Sequence, residues 1–387
     1  MRYYVEPTGT GTSTNHWSLG LTGDLVATVA AVLAAPSRGG DEIWAKQGQY
    51  NLVTPLVINN NSEPLSIYGS FAGTEQFLCE RNANIDSTQY PTFFQNPSIL
   101  DGVAVNRVIE IQNANVCRID GFIIQRGRAM TADMGFNGGG VYVNASNNLC
   151  FENIVFFNNQ AQNFGGGIFT NDWRNVIIKN SIFLRDVATN GGALYLDNAI
   201  NTLLVNVLFN DNQVDVNGDG AAIYAMGSSN VKIINNTIAN NGHSPVGRSS
   251  VYCTANANVE IYNSILYPDR LVIVPQANVV VDYCLLNNNP IPPATNPTSG
   301  SLILPTPFPP PNNNPNFVNL VSLVGGGDLH LQAGSQCIDN GNTDYIFPLS
   351  ATDLEGEPRF IDGGISLLIP PFPRPLMEVD MGALEWK

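Results

Sequence analysis

Charged side chains are scarce in this chain: they make up 13% of its 387 residues, against about 25% in an average soluble domain. Basic residues are the scarcer kind, 17 Lys and Arg against 32 Asp and Glu, and the formal net charge is −15. The positive field that draws phosphate backbones is therefore missing, and nucleic acid is not an expected partner. No run of 18 apolar residues occurs, so no membrane span is expected. The opening Met1-Arg2-Tyr3-Tyr4-Val5 lacks the charged-then-apolar order of a signal peptide. The expectation is a leader removed from this sequence, or export without one, as from a virion released by lysis.

Metal and nucleophile signatures are missing too. The six cysteines (Cys79, Cys117, Cys150, Cys253, Cys284, Cys337) form no CxxC pair and have no histidine at ligand spacing, so neither a metal site nor a cofactor is expected. Buried thiols and one or two disulfides both stay open for them. The three histidines, His16, His243 and His330, lie far apart, and no serine sits in a GxSxG elbow. The glycine clusters are not followed by Lys-Ser/Thr, which excludes a phosphate-binding loop of that type.

What fills the gap is turn chemistry: 36 Gly, 25 Pro and 49 Asn. Their spacing is periodic. Gly138-Gly139-Gly140-Val141-Tyr142, Gly165-Gly166-Gly167-Ile168-Phe169, Gly191-Gly192-Ala193-Leu194-Tyr195, Gly220-Ala221-Ala222-Ile223-Tyr224 and Arg248-Ser249-Ser250-Val251-Tyr252 recur every 26 to 29 residues. A second motif runs in step: Phe151-Glu152-Asn153, Ile178-Lys179-Asn180, Leu204-Val205-Asn206, Ile234-Asn235-Asn236 and Ile261-Tyr262-Asn263. Short strands between Gly, Asn and Asp, with no 3.6-residue apolar period, predict a solenoid of stacked strands: an all-β parallel β-helix. Asn153, Asn180, Asn206, Asn236 and Asn263 are expected to form an internal structural ladder, since asparagine tolerates left-handed backbone and its amide can bond to the next coil.

Three regions follow. Residues 1–40 hold a strand and an amphipathic helix, with Leu25, Val26, Val29, Val32 and Leu33 at helical spacing between Asp24 and Pro36; the helix is expected to cap the open end of the solenoid. Residues 41–289 form the β-helix. Residues 290–387 form an irregular Pro/Asn-rich region packed on it. Within that region the apolar proline loops around Phe308 and around Leu368, Ile369 and Phe372 are surfaces that a lone soluble protein would avoid exposing.

The residues also resemble a known group. Tyr4-Val5 through Trp17, Asp41-Glu42-Ile43-Trp44-Ala45, Gly48-Gln49-Tyr50, Phe71-Ala72-Gly73-Thr74-Glu75, Arg81 and Ser98-Ile99-Leu100-Asp101-Gly102 look like bacterial pectin-lyase-fold proteins related to chlamydial polymorphic outer-membrane proteins. Asp328-Leu329-His330-Leu331, Gly334-Ser335, Ile338-Asp339, Gly341-Asn342, Asp353, Gly356, Pro358-Arg359 and Asp380-Met381-Gly382-Ala383-Leu384-Glu385 resemble the choice-of-anchor Q region of secreted bacterial surface proteins. The resemblance implies a right-handed parallel β-helix, export and surface display, and no particular reaction. His330 falls in the terminal motif and is expected to be structural. Two departures are the end at Trp386-Lys387, with no anchor following, and the apolar insertion between Arg359 and Asp380.

The fold hosts polysaccharide lyases and glycosidases, so candidate acids need weighing one by one. Asp172, Asp186, Asp197, Asp211, Asp215 and Asp219, with Arg174, Lys179 and Arg185 nearby, fall mostly in turns and do not recur at one coil position. Asp172 with Asp197 is the one pair entertained for a glycosidase. The aromatic column Tyr142, Phe169, Tyr195, Tyr224 and Tyr252 is the candidate ligand or partner surface; it is either an outward platform for sugar rings or a neighbouring subunit, or a column that only stabilises the sheet by stacking or points into the core. The leading expectation is a non-enzymatic extracellular or cell-surface structural and adhesive protein. In that expectation it assembles head-to-tail with other copies of itself into a fibre or surface array through Phe308, Leu368, Ile369 and Phe372 and contacts cell-surface or matrix polysaccharide. The alternatives are a polysaccharide lyase or glycoside hydrolase and a phage receptor-binding spike.

Overall fold

The structure is a computed structural model that describes residues 1–17, 22–35, 40–130, 133–242, 249–254, 256–269, 271–274, 276–286, 315–342, 345, 351–359 and 379–384. Parallel strands stack in register through about eight turns of a β-helix. Each full coil turns through three faces. The first carries 141–144, 168–171, Leu194–Asp197, Ile223–Met226 and Val251–Cys253. The second carries 150–152, 177–179, 202–205, Asn230–Ile234 and Asn258–Tyr262. The third carries 155–157, 182–184, 208–210, Thr237–Ala239 and Ile265–Leu266. Because side chains alternate, one residue in two points inward. Val141, Ile168, Leu194, Ile223 and Val251 fill the interior from the first face, and Phe151, Ile178, Leu204, Ile233 and Ile261 from the second. Phe156, Phe183 and Phe209 stack inside, with ring centroids 4.4 and 4.9 Å apart.

The coil can turn this tightly because its corners use left-handed backbone, the conformation asparagine and glycine enter at least cost. Gly165 shows the constraint: its φ is +66°, and a Cβ there would lie 2.4 Å from the Ile168 carbonyl oxygen. At the corner between the first and second faces the left-handed positions include Asn113, Ala145, Asp172 and Asn198, and then Asn148, Asn175 and Asn201. At the corner before the third face they include Gly121, Asn153, Asn180, Asn206, Asn235 and Asn263.

That last column corrects the predicted ladder in two ways. The register pairs Ile234 with Val205, so the residue equivalent to Asn206 is Asn235, not Asn236. The column also does not face the apolar interior. Asn206 Nδ2 donates to the Thr352 carbonyl at 2.8 Å, Asn263 Nδ2 to the Asn342 carbonyl at 2.9 Å, and Asn235 Nδ2 to the Asp380 carbonyl at 3.4 Å. Left-handed backbone turns these side chains out toward the C-terminal segments. Rungs along the column remain, such as Asn206 Nδ2 to Asn180 Oδ1 at 2.9 Å. Asn236 instead points inward, and its Oδ1 accepts from the Val207 N–H.

A fully internal ladder stands one corner further on, in Asn159, Asp186, Asn212, Asn241 and Asp269. Asp186 Oδ1 accepts from Asn159 N and Nδ2, Asn212 Oδ1 from Asp186 N, Asn241 Oδ1 from Asn212 N and Nδ2, and Asp269 from Asn241 N and Nδ2. The amides of Asn159, Asn212 and Asn241 also donate to the carbonyls of Ile124, Phe183 and Phe209. Asp186 Oδ2 occupies the place of those amides and has no partner of its own. Burial holds the Asp186 carboxyl well above the usual range, and a protonated oxygen there can donate as the amides do.

The helix Leu25–Ala34 begins at Asp24, whose side chain accepts from Ala27 N. It buries Leu25, Val29 and Val32 against Val5, Ile43, Leu52 and Leu56 of the first coil. Strand Arg2–Val5, placed before the solenoid in the sequence reading, pairs in parallel with Asp41–Lys46 and so extends the second face. The six cysteines are free thiols. Burial pushes the thiol of Cys253 up to about 12.

Candidate functional site

The first and third faces differ in what their outward residues meet. On the third face Ile123, Val155, Ile182, Leu208 and Ile265 point away from the interior and are buried again, under Ile85, Phe93 and Phe94 and under Leu323, Leu329, Leu331, Leu354, Met381 and Leu384. The second face is paired with itself: Arg118 bridges Asp120 and Glu152, Lys179 lies 3.9 Å from Glu152, and Lys232 3.0 Å from Glu260. On the first face Tyr142, Phe169, Tyr195, Tyr224 and Tyr252 occupy one outward column, in consecutive register.

The rings of this column lie over one another, with centroids 5.3, 5.6, 4.9 and 5.0 Å apart. Phe164 adds a further stacked ring 4.5 Å from Tyr195. The geometry decides what the column can offer. Ring faces are spent on each other, so the surface receives edges and phenol groups rather than the flat platforms that stack on sugars. Arg107 closes the upper end, 5.4 Å over the Tyr142 ring and 2.9 Å from Glu110. Burial raises the phenols of Tyr142, Tyr224 and Tyr252, so they stay protonated donors. Two residues along each strand stand Asn144, Asn171 and Asp197, with Asn171 Nδ2 3.3 Å from Asn144 Oδ1. At the adjoining corner a second outward row runs through Asn115, Asn148, Asn175 and Asn201, each amide bonded to the last at 2.6, 3.2 and 3.0 Å. This row carried no weight in the sequence reading, although its 26- to 33-residue spacing was visible there.

The candidate acids separate. Asp172 and Asp197 meet at the corner beside the first face. The Asp197 carboxyl is raised by burial and by the neighbouring Asp172 charge. Arg174 lies 3.2 Å from Asp172, both about half exposed. Asp186 is inside the ladder. Asp211 holds Arg185 at 2.8 Å and Ser322 at 2.7 Å, Asp215 accepts from Thr189, and Asp219 from Ser249. Asp172 and Asp211 sit at left-handed turn positions that asparagine fills in other coils. Among the described residues no group of three or more His, Cys, Asp or Glu is placed to hold a metal ion, and no helix is long and apolar enough to cross a membrane. His330 lies buried between Asp328, 2.7 Å from Nδ1, and Glu355, 3.2 Å from Nε2. His243 and the loop residues Phe308, Leu368, Ile369 and Phe372 lie outside the described residues.

Comparison with known proteins bears on the scaffold. Residues 107–268 match the family model described as a right handed beta helix region. Comparison with curated protein sequences gives no match. Among solved structures the chain is similar to pectate lyase Pel9A, at 14% identity and a TM-score of 0.50 over 100% of this chain and 96% of that one. It is also similar to a rhamnogalacturonan lyase, at 12% identity and a TM-score of 0.44 over 78% and 86%. Identity this low speaks for the fold alone. The parallel strands, the matched repeat region and the full-length structural likeness together make the chain a right-handed parallel β-helix with a pectin-lyase-like fold.

Proposed function

We propose that this is a non-catalytic, extracellular polysaccharide-binding β-helix whose first face lies along an extended, predominantly neutral glycan. The observation that carries the reading is the outward rows of phenol, amide and carboxylate groups repeating at the coil spacing, about 4.8 Å per strand. They offer one polymer many equivalent hydrogen bonds. The arginines beside this face, Arg107 and Arg174, are each engaged by a carboxylate, which favours binding over proton abstraction. The acidic balance of the chain opposes a polyanionic ligand. The likeness of the terminal motif to anchor regions supports surface display, and docking between copies through residues 290–316 and 361–378 belongs to the same reading. Co-sedimentation with insoluble cellulose, xylan, mannan and chitin tests it: retention on at least one, lost in Asn144→Ala/Asn171→Ala/Tyr224→Ala, is expected. Absence of retention on all of them sinks it.

One observation favours a second reading, a polysaccharide lyase: Asp172, Asp197 and Arg174 gather at one corner. There Arg174 would neutralise the carboxylate of a uronate while the Asp197 carboxylate accepts the neighbouring C–H proton as the adjacent C–O bond breaks and a C=C bond forms. Appearance of unsaturated product from polygalacturonate with calcium, abolished by Arg174→Ala, would establish it in place of the first.

A further inference from the structure

Beside the covered third face lies a cleft of about 540 Å³ that the proposed glycan surface does not use. Its size falls among small-molecule sites, roughly 300–1,000 Å³. Two segments distant in the chain form it: 82–95, inserted after the strand Leu65–Phe71, and 355–357 of the C-terminal return. They are fixed to each other. Glu355 Oε1 accepts from Ser87 N at 2.9 Å and Oγ at 2.6 Å, and Glu355 Oε2 lies 3.2 Å from His330 Nε2. Gly356, at φ +89°, leaves room for Asn84, whose Nδ2 would be 2.5 Å from a Cβ there. The two segments are thus tied together before any ligand arrives, which lowers the cost of binding.

The lining selects the ligand. Asn82, Asn84, Gln89 and Gln95 bring planar amides, Asp86 and Glu357 carboxylates, and Thr92 a hydroxyl, while Ile85 and Phe94 turn their side chains into the third-face cluster and close the floor. No Lys or Arg lines it, which disfavours phosphate and uronate. The few apolar groups disfavour a lipid. Planar groups that both donate and accept, set close together, match the vicinal hydroxyls of a neutral pyranose. Asn82 Nδ2 already donates to Gln95 Oε1 at 3.2 Å, which orients the Gln95 amide with its Nε2 left to donate.

We infer that this cleft is a second binding site, for one or two units of a neutral saccharide, separate from the first face and independent of the reading given to that face. The test is titration of the full chain with cellohexaose, xylohexaose and mannohexaose, followed by calorimetry and by amide shifts. Saturable binding of one of them is expected at the cleft, read from shifts at 82–95 and 355–357 apart from any on the first face. It should weaken at least tenfold in Gln95→Ala/Glu357→Ala and persist in Tyr224→Ala on the first face. Unchanged melting of the double variant separates lost contacts from lost folding. No binding of any hexaose, binding lost only in Tyr224→Ala, or calcium binding at these residues in place of sugar would each overturn the assignment.

Discussion

The first and third faces are built by the same repeat, yet they have opposite fates. Both stack short parallel strands in register from coil to coil, and both send every second residue outward. On the third face those residues are Ile123, Val155, Ile182 and Leu208, and the chain returns twice to bury them. On the first they are stacked rings and amides, among which Tyr142, Asn144, Tyr224 and Tyr252 stay partly exposed. The composition of one outward column, rather than the strand itself, decides whether a solenoid face becomes a second core or a contact surface.

The comparison can be broken first at Arg359, which is 1% exposed and donates to Asn206 Oδ1 at 2.8 Å and to the carbonyls of Gly382 and Ala383. Arg359→Ala leaves those buried acceptors short of a donor and should cost about 4 kcal/mol, read as a lower urea midpoint with earlier proteolysis of 379–384. Cutting that leaves this segment protected would show that the cover does not depend on this residue.

Almost as large an effect lies in the ladder that serves the corner between these faces. The Asp269 carboxyl is raised to about 7 by burial against the hydrogen bonds of Asn241. The folded state therefore holds a proton that the unfolded chain, titrating near 3.8, gives up. Stability is full below about pH 4 and falls as pH rises to about 7, by roughly 4 kcal/mol at about 1.4 kcal/mol per unit. Asp186, raised in the same direction, extends the decline. Thermal melts from pH 4 to 8 should show the wild type losing stability and Asp186→Asn/Asp269→Asn staying flat; parallel curves would refute protonated rungs.

Truncations sharpen the contrast between the faces. Leu208→Ala, under the cover, should cost about 3 kcal/mol, whereas Tyr224→Ala on the first face forfeits chiefly ring contacts and should cost about 1 kcal/mol. Equal shifts in urea midpoint would mean that the first face is structural to the same degree.

The smallest contrast uses one residue type and one backbone shape in two settings. Asn201 and Asn206 share φ +53°, but Asn206 is buried and tied to Thr352 and Arg359 while Asn201 is exposed. Glycine keeps the backbone in both. Asn206→Gly should cost about 2 kcal/mol for its buried hydrogen bonds and Asn201→Gly under about 0.5 kcal/mol, measured by the same unfolding curves.

Legibility in the sequence followed periodicity. The Gly-Gly-Gly-Val-Tyr and Phe-Glu-Asn repeats announce a coil because each residue stacks on its counterpart one coil away, so the same physical demand recurs at the same interval. The Asn235/Asn236 ambiguity shows the limit: two adjacent asparagines satisfy the pattern, and only pairing of Ile234 with Val205 assigns one to the left-handed turn and the other to the interior. The internal ladder is hard to see in the sequence because Asp186 and Asp269 interrupt a run of asparagines, and Asp186 reads as one turn acid among several. Burial, which removes their charge, is invisible in a string of letters.

The sequence by itself determined the scaffold: short strands, left-handed corners and a repeat of 26 to 29 residues leave few structures other than a stacked parallel coil. The tertiary structure alone decided which asparagines face in, which aromatic surfaces are consumed by stacking, and which face the C-terminal segments cover. The first two depend on register between neighbouring coils, such as Ile234 with Val205, and the last on contacts between residues more than a hundred positions apart, such as Arg359 with Asn206 and Glu355 with Ser87. No local propensity or period encodes a pairing at that distance.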